Sequence, residues 1–197
     1  WLAEVFERFQ DPRAGEIRNA YQEYMECMRR ILRRQAEQNP AEEELHLTNR
    51  LGYEPADPQV GAVGNGALNL LRSGVLRAGS REARLVENYY RNRGYGQHGL
   101  MGLMGDGLLL QGDNADYWAG HTWYTSAPDI CWFYAWLESG QKEKAKQTLE
   151  AQLKYAMTPE YYMCERYADN DPYFTPWLPN ASANGRTLMM LLDYYNG

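Results

Sequence analysis

Ile17, Tyr21, Tyr24, Met25, Met28, Ile31 and Leu32 recur three and four residues apart, the spacing of one face of an α-helix. The pattern predicts a helix over 13–37, closed by Pro40. Charged and apolar residues interleave in the same way over 81–93, behind the N-capping Ser80, and over 141–156. Three other stretches read differently. Residues 60–73, 124–138 and 180–195 are almost uncharged except at their ends, the pattern of helices buried on all sides. Strand signals are nearly absent, since no run alternates for long. The chain is therefore expected to be all-α.

The two kinds of helix alternate. Each charged, outer-type helix (13–37, 81–93) leads through a long loop to an apolar, inner-type one, and short links join inner to outer. The entries to the inner helices also repeat: "GNGALNLLRSG" (64–74) and "ANGRTLMMLLDYYNG" (183–197) share an Asn-Gly start and a terminal Gly, with "TSAPD" (125–129) between them. Asn65, Ser126 and Asn184 stand 61 and 58 residues apart, a period longer than those of the common solenoids. The expected architecture is three αα-hairpins on one circle, in a single domain over 1–197.

Composition narrows the partners. A net charge of −6 argues against a nucleic-acid or anionic-membrane partner, both of which are bound through basic surface. The run "RRILRR" (29–34) reads as the solvated face of the first helix. Nothing approaches the roughly 18 consecutive apolar residues of a membrane span. No signal peptide is visible, which tilts the expected compartment toward the cytoplasm. Cys27, Cys131 and Cys164 are too scattered for a disulfide framework or a zinc site and read as small buried hydrophobes. No metal or cofactor is expected. Asn180-Ala-Ser is a glycan acceptor in a secretory setting, but reads first as a helix N-cap. The unusual number is 13% aromatic residues, with 16 Tyr and 6 Trp. Such rings suit a core, an interface or a sugar cleft.

The segment "DYWAGHTWYTSAPDICWFYAWLESGQKEKAKQTLEAQL" (116–153) resembles the six-hairpin glycosidases related to processing α-glucosidase I and trehalase. Tyr117, Trp118, Gly120 and Trp123 match that family's Tyr-Trp-x-Gly-x-x-Trp loop, and Gly140 with Glu143-Lys144-Ala145 matches its following outer helix. "YMCERYADNDPYFTPWLPNASANGR" (162–186) resembles the next block, shared with the glucoamylases: Glu165-Arg-Tyr167 fits its start, and Trp177 with Asn180-Ala-Ser its end. Ala168 stands where the family usually has Asp, so that Asp169 or Asp171 would have to substitute. Ala119 and His121 replace its Arg and Pro. The resemblance covers roughly 116–197. It implies the αα-hairpins of an (α/α)6 toroid, of which three hairpins make half a barrel. A missing N-terminal half or a second copy would then complete the ring.

Inverting glycoside hydrolysis needs two carboxyl groups about 6.5–9.5 Å apart, one protonated as acid and one ionised as base. The resemblance makes Glu165 the general base, acting on a carbohydrate substrate at a terminal or small glycoside. For the acid the chain offers Asp106 in "HGLMGLMGDGLLL", flanked by Gly on both sides, against the plainer reading of a turn Asp. Asp113 and Asp116 are weaker candidates. Trp118, Trp123, Tyr124 and Trp177 are candidates for stacking on sugar rings, with core packing as the alternative for each. His98 and His121 are candidates to hydrogen-bond hydroxyls, and Asn180 completes the binding set. A sugar epimerase working through His121 and His98, a phosphorylase, and a non-catalytic carbohydrate-binding protein remain as alternatives. "ADNDP" (168–172) lacks EF-hand spacing for calcium and reads as a turn.

Overall fold

The computed structural model describes residues 2–38, 43–45, 70–92, 98–101, 123–168, 171–173 and 179–196. These residues are mostly helical: α1 (Leu2–Arg8), α2 (Arg13–Gln38), α3 (Arg81–Asn92), α4 (Ser126–Glu138), α5 (Lys142–Tyr155) and α6 (Ala181–Asn196), with a helical turn at 70–72. The all-α expectation holds. The expected helices over 13–37, 81–93, 141–156 and 180–195 agree with α2, α3, α5 and α6 to within a residue at each end. Of the helix expected over 60–73, only the last turn lies within the described residues. Helix α1 was not anticipated.

One correction concerns strands. The helix expected over 124–138 begins at Ser126, and residues 124 and 125 belong instead to a short strand, β1 (Trp123–Thr125), paired antiparallel with β2 (Arg166–Ala168). Strands of three residues are too short to show an alternation in sequence, so the period-2 test could not register them.

Helix ends follow local chemistry. Ser80 Oγ accepts the Ala83 N–H at 3.1 Å and caps α3, while Asn180 Oδ1 accepts the Ala183 N–H at 2.8 Å and caps α6. Helix α4 stops at Gly140, whose φ of 77° lets the Gln141 N–H reach Trp136 O at 2.7 Å and its own N–H reach Leu137 O at 3.1 Å. That pair of bonds is a Schellman motif, and only glycine takes the left-handed position without strain.

Helix α4 packs against both α5 and α6, and α5 also touches α6. Trp132, Phe133, Ala135 and Trp136 of α4 are buried, and the remainder of its circumference is almost all at least half-buried, as an inner helix requires. One continuous core joins α4 to Leu85, Val86, Tyr89 and Tyr90 of α3, to Ala145 and Leu149 of α5, and to Met25, Leu32 and Ala36 of α2. Across this core the buried Glu87 accepts hydrogen bonds from Arg91 Nε (2.9 Å), Lys144 Nζ (2.8 Å) and Trp136 Nε1 (3.4 Å). Burial alone would raise its carboxyl pKa, but the bonds from Lys144 and Arg91 outweigh it and hold the group below the ordinary carboxylate range.

Three burial expectations are corrected. Tyr21 and Tyr24 lie outward at 56% and 57% exposure, because the buried stripe of α2 is the narrower one through Met25, Leu32 and Ala36. Cys27 is exposed on the same helix; Cys131 is half-buried and Cys164 buried, so only part of the cysteine reading stands. Helix α6 is not covered on all sides: Leu188, Leu192 and Tyr195 are 56%, 51% and 75% exposed. Its buried side, Ala183, Thr187 and Met190, is a stripe at i, i+4 and i+7.

Gly99 locks the segment 98–101 onto α5. It has φ +91°, its carbonyl accepts the Thr148 hydroxyl at 2.6 Å, and a Cβ placed on it would stand 2.9 Å from Gln147 O. Gly99→Ala is expected to lower stability by about 2–3 kcal/mol, seen as a fall in melting temperature, because both the backbone angle and the contact are unfavourable.

Candidate functional site

The β1–β2 ribbon brings together two motifs that lie some forty residues apart in sequence. Trp123 pairs with Ala168, Tyr124 with Tyr167 and Thr125 with Arg166. The end of the Tyr-Trp-x-Gly-x-x-Trp motif thus lies alongside the segment that follows Glu165. Each strand also adjoins a helix start. Thr125 is the N-cap residue of α4. The segment leading into β2 is tied to the start of α6 by Asn180 N to Met163 O (2.8 Å) and Met163 N to Asn184 Oδ1 (2.9 Å). Asn184 Nδ2 in turn donates to Asn180 O at 2.9 Å. The N-termini of α4 and α6 therefore open at one end of the helix pair.

Glu165 sits there, half-buried, one residue before β2. Arg186, on the second turn of α6, bridges the two helix starts: Nε donates to Ser126 Oγ at 3.1 Å and Nη1 to Ser182 Oγ at 2.6 Å. Burial lowers the affinity of Arg186 for its proton, and negative charge on its neighbours, Glu165 and Asp129 among them, works against that loss. Asn180 spends its side-chain oxygen on the α6 cap, so only its Nδ2 donors can serve a ligand.

Behind this surface lies a group the sequence reading missed. Asp129, in the first turn of α4, is fully buried. Its Oδ1 accepts the Met101 N–H at 2.6 Å, and its Oδ2 accepts Gln152 Nε2 at 2.9 Å and the Tyr167 hydroxyl at 3.1 Å. Gln152 continues the network, accepting the Thr187 hydroxyl at 2.7 Å. Burial pushes the Asp129 carboxyl up to about 6, opposed by the bonds from Gln152, Met101 and Tyr167 and by the charge of Arg186. A carboxyl with such a pKa has the protonation of a general acid, but Asp129 is sealed behind its own donors and cannot touch a substrate. It positions α4, α5, β2 and the segment around Met101 relative to one another. The signal in the sequence was a lone carboxylate inside an otherwise apolar helix. Arg186 is the matching lone cation in α6.

Of the other residues chosen from sequence, Asp106, Asp113, Asp116, Trp118, His121, Asp169 and Trp177 lie outside the described residues, and Trp123 and Tyr124 are described in their backbone alone. His98 is exposed, with its ring 5.5 Å from that of Tyr155. Ala168 and Asp171 exchange backbone hydrogen bonds of 3.0 Å, and Asp171 Oδ1 accepts the Tyr173 N–H at 3.0 Å, a local turn of the kind expected for "ADNDP". Among the described residues no cluster of His, Cys, Asp and Glu could hold a metal ion, and no helix is long and apolar enough to cross a membrane. No protein-family model, curated protein or solved structure matches the chain.

Proposed function

We propose that this chain carries the general-base side of an inverting glycoside hydrolase active site, acting on terminal or small glycosides, with Glu165 as the base. The observation that carries the reading is the ribbon. It aligns Trp123 and Tyr124 with the Glu165-Arg-Tyr167 segment at the shared mouth of α4 and α6. A half-buried carboxylate beside the paired strands, with a fixed cation nearby, suits activation of a water against a sugar ring. Asp106 remains the proposed acid, with Trp118, Trp177, His121, Asn180, Trp123 and Tyr124 as the sugar-binding set.

The same reading places α4 and α6 as inner helices of an (α/α)6 toroid. The open apolar side of α6 is consistent with further hairpins lying beside it. They would come from additional chain or from a second copy.

The test is hydrolysis of a panel of p-nitrophenyl glycosides, in both anomers, and of small disaccharides, with the first-formed sugar followed by proton NMR. The expected result is release of the aglycone with a product of opposite anomeric configuration. Retention of configuration, or sugar binding with no turnover on any panel member, overturns the proposal. An absolute requirement for inorganic phosphate would indicate a phosphorylase instead, and a new stereocentre at unchanged mass an epimerase.

A further inference from the structure

The Arg-rich run of α2, expected to be no more than a solvated helix face, lines a cavity. Arg29, Arg30 and Arg33 on one side meet Val75, Arg77, Ser80 and Glu82 on the other, around a space of about 530 Å³, with Glu26 and Leu32 completing the α2 wall. That volume lies within the range of about 300–1,000 Å³ in which small-molecule sites fall. None of these residues belongs to the Glu165 region.

Four guanidinium groups facing two carboxylates leave this cavity cationic, on a chain whose net charge is −6. Charges of one sign gathered in a cleft raise each other's energy, and an anion in their midst relieves it. One of the four is also held in place. Arg29 Nη2 donates to Gly74 O at 3.0 Å, which fixes the guanidinium plane, whereas its Nε is buried and has no hydrogen-bond partner. A buried N–H on a cation without an acceptor is costly, and its natural complement is an anionic oxygen. Ser80 adds a hydroxyl at the start of α3, a helix of 12 residues whose dipole is positive at that end. Leu32 and Val75 give the cavity an apolar wall, and Glu26 and Glu82 offer acceptors for hydroxyl groups.

We propose that the cleft between α2 and the Val75–Ser80 segment binds a small phosphorylated molecule, its phosphate held by Arg29, Arg33 and Arg77 and its hydroxyl-bearing part set against Glu26 and Glu82. Planar guanidinium forks match phosphate oxygens two at a time, which favours phosphate over a single carboxylate.

Isothermal titration of the whole chain with glucose 6-phosphate, pyrophosphate and inorganic phosphate tests this, with neutral glucose as control. Saturable one-to-one binding of at least one phosphorylated probe is expected, weakening as salt rises and absent for glucose alone. R33A/R77A removes two exposed side chains and leaves the core intact, and it should weaken binding at least about tenfold. R29M should do the same, and R33A/R77A decides the matter if R29M loses its fold. The proposal is overturned by no saturable heat with any phosphorylated probe, or by unchanged affinity in R33A/R77A. It is equally overturned by a preference for oligonucleotide or for phosphatidylserine vesicles over the small phosphates.

Discussion

Asp129→Ala is expected to cost about 3–5 kcal/mol and to leave much of the chain without cooperative unfolding. Three donors, Met101 N, Gln152 Nε2 and Tyr167 Oη, would lose their acceptor inside a sealed core, and a cavity would open beside Tyr167. Asp129→Asn removes the charge at nearly constant shape and keeps an acceptor for Met101, but its amide nitrogen replaces Oδ2 and gives up the bonds accepted from Gln152 Nε2 and Tyr167. Its effect should be milder at neutral pH, and it should remove a pH dependence present in the wild type. The folded carboxyl titrates near 6 against 3.8 when unperturbed, so between those values the native state binds the additional proton. The corresponding stability is complete below about pH 4 and is lost as pH rises through about 6, amounting to about 3 kcal/mol at most. Urea denaturation in steps from pH 4 to pH 8 should show wild-type stability falling across that window relative to Asp129→Asn. A difference independent of pH would mean that Asp129 is not the titrating group.

Glu165→Gln carries the largest expected effect on activity. A carboxamide of nearly the same shape cannot accept the proton of an attacking water, and general-base catalysis contributes on the order of 10²–10⁴-fold. The expected result is a fall of that size in kcat with little change in KM, and far-ultraviolet circular dichroism unchanged. Azide, which needs no base, should then restore part of the rate by attacking the anomeric carbon as the aglycone leaves. Its product is a glycosyl azide of inverted configuration. A variant with wild-type kcat would remove Glu165 from the chemistry. A variant slowed through KM alone would make it a binding residue.

How much of this could be read from the sequence depends on the range of the interactions involved. The outer-type helices were legible because α2, α3 and α5 each carry their own charge pattern and their own stops, Ser80 before α3 and Gly140 before α5. The N-cap role of Asn180 was legible for the same reason. The ribbon was not, since β1 and β2 are three residues each and exist only by pairing with one another. Asp129 escaped notice because a lone Asp in a first turn reads as a favourable helix start, and its donors arrive from residues 101, 152 and 167. The Arg run is solvent-facing as read, with Arg30, Arg33 and Arg34 exposed, but the cavity it lines was not legible because the Val75–Ser80 segment opposite is remote in sequence. The candidate base was legible only through a likeness between motifs. The structure adds that the two motifs carrying that likeness meet.

The reach of the Asp129 network also bears on how the chain matures as it is made. Its bonds are supplied in order by Met101, Gln152 and Tyr167, and Gln152 is in turn fixed by Thr187, in the second turn of the last described helix. During synthesis from the N-terminus, α4 emerges with only Met101 already made, and α5 then adds Gln152. Tyr167 and Thr187 follow only after the ribbon and the first two turns of α6 have been translated. Until then the apolar surface of α4 has a charged group at its head that cannot be buried favourably. A nascent chain stalled between α5 and α6 should therefore be protease-sensitive and a ready chaperone client, whereas one carrying α6 should be resistant.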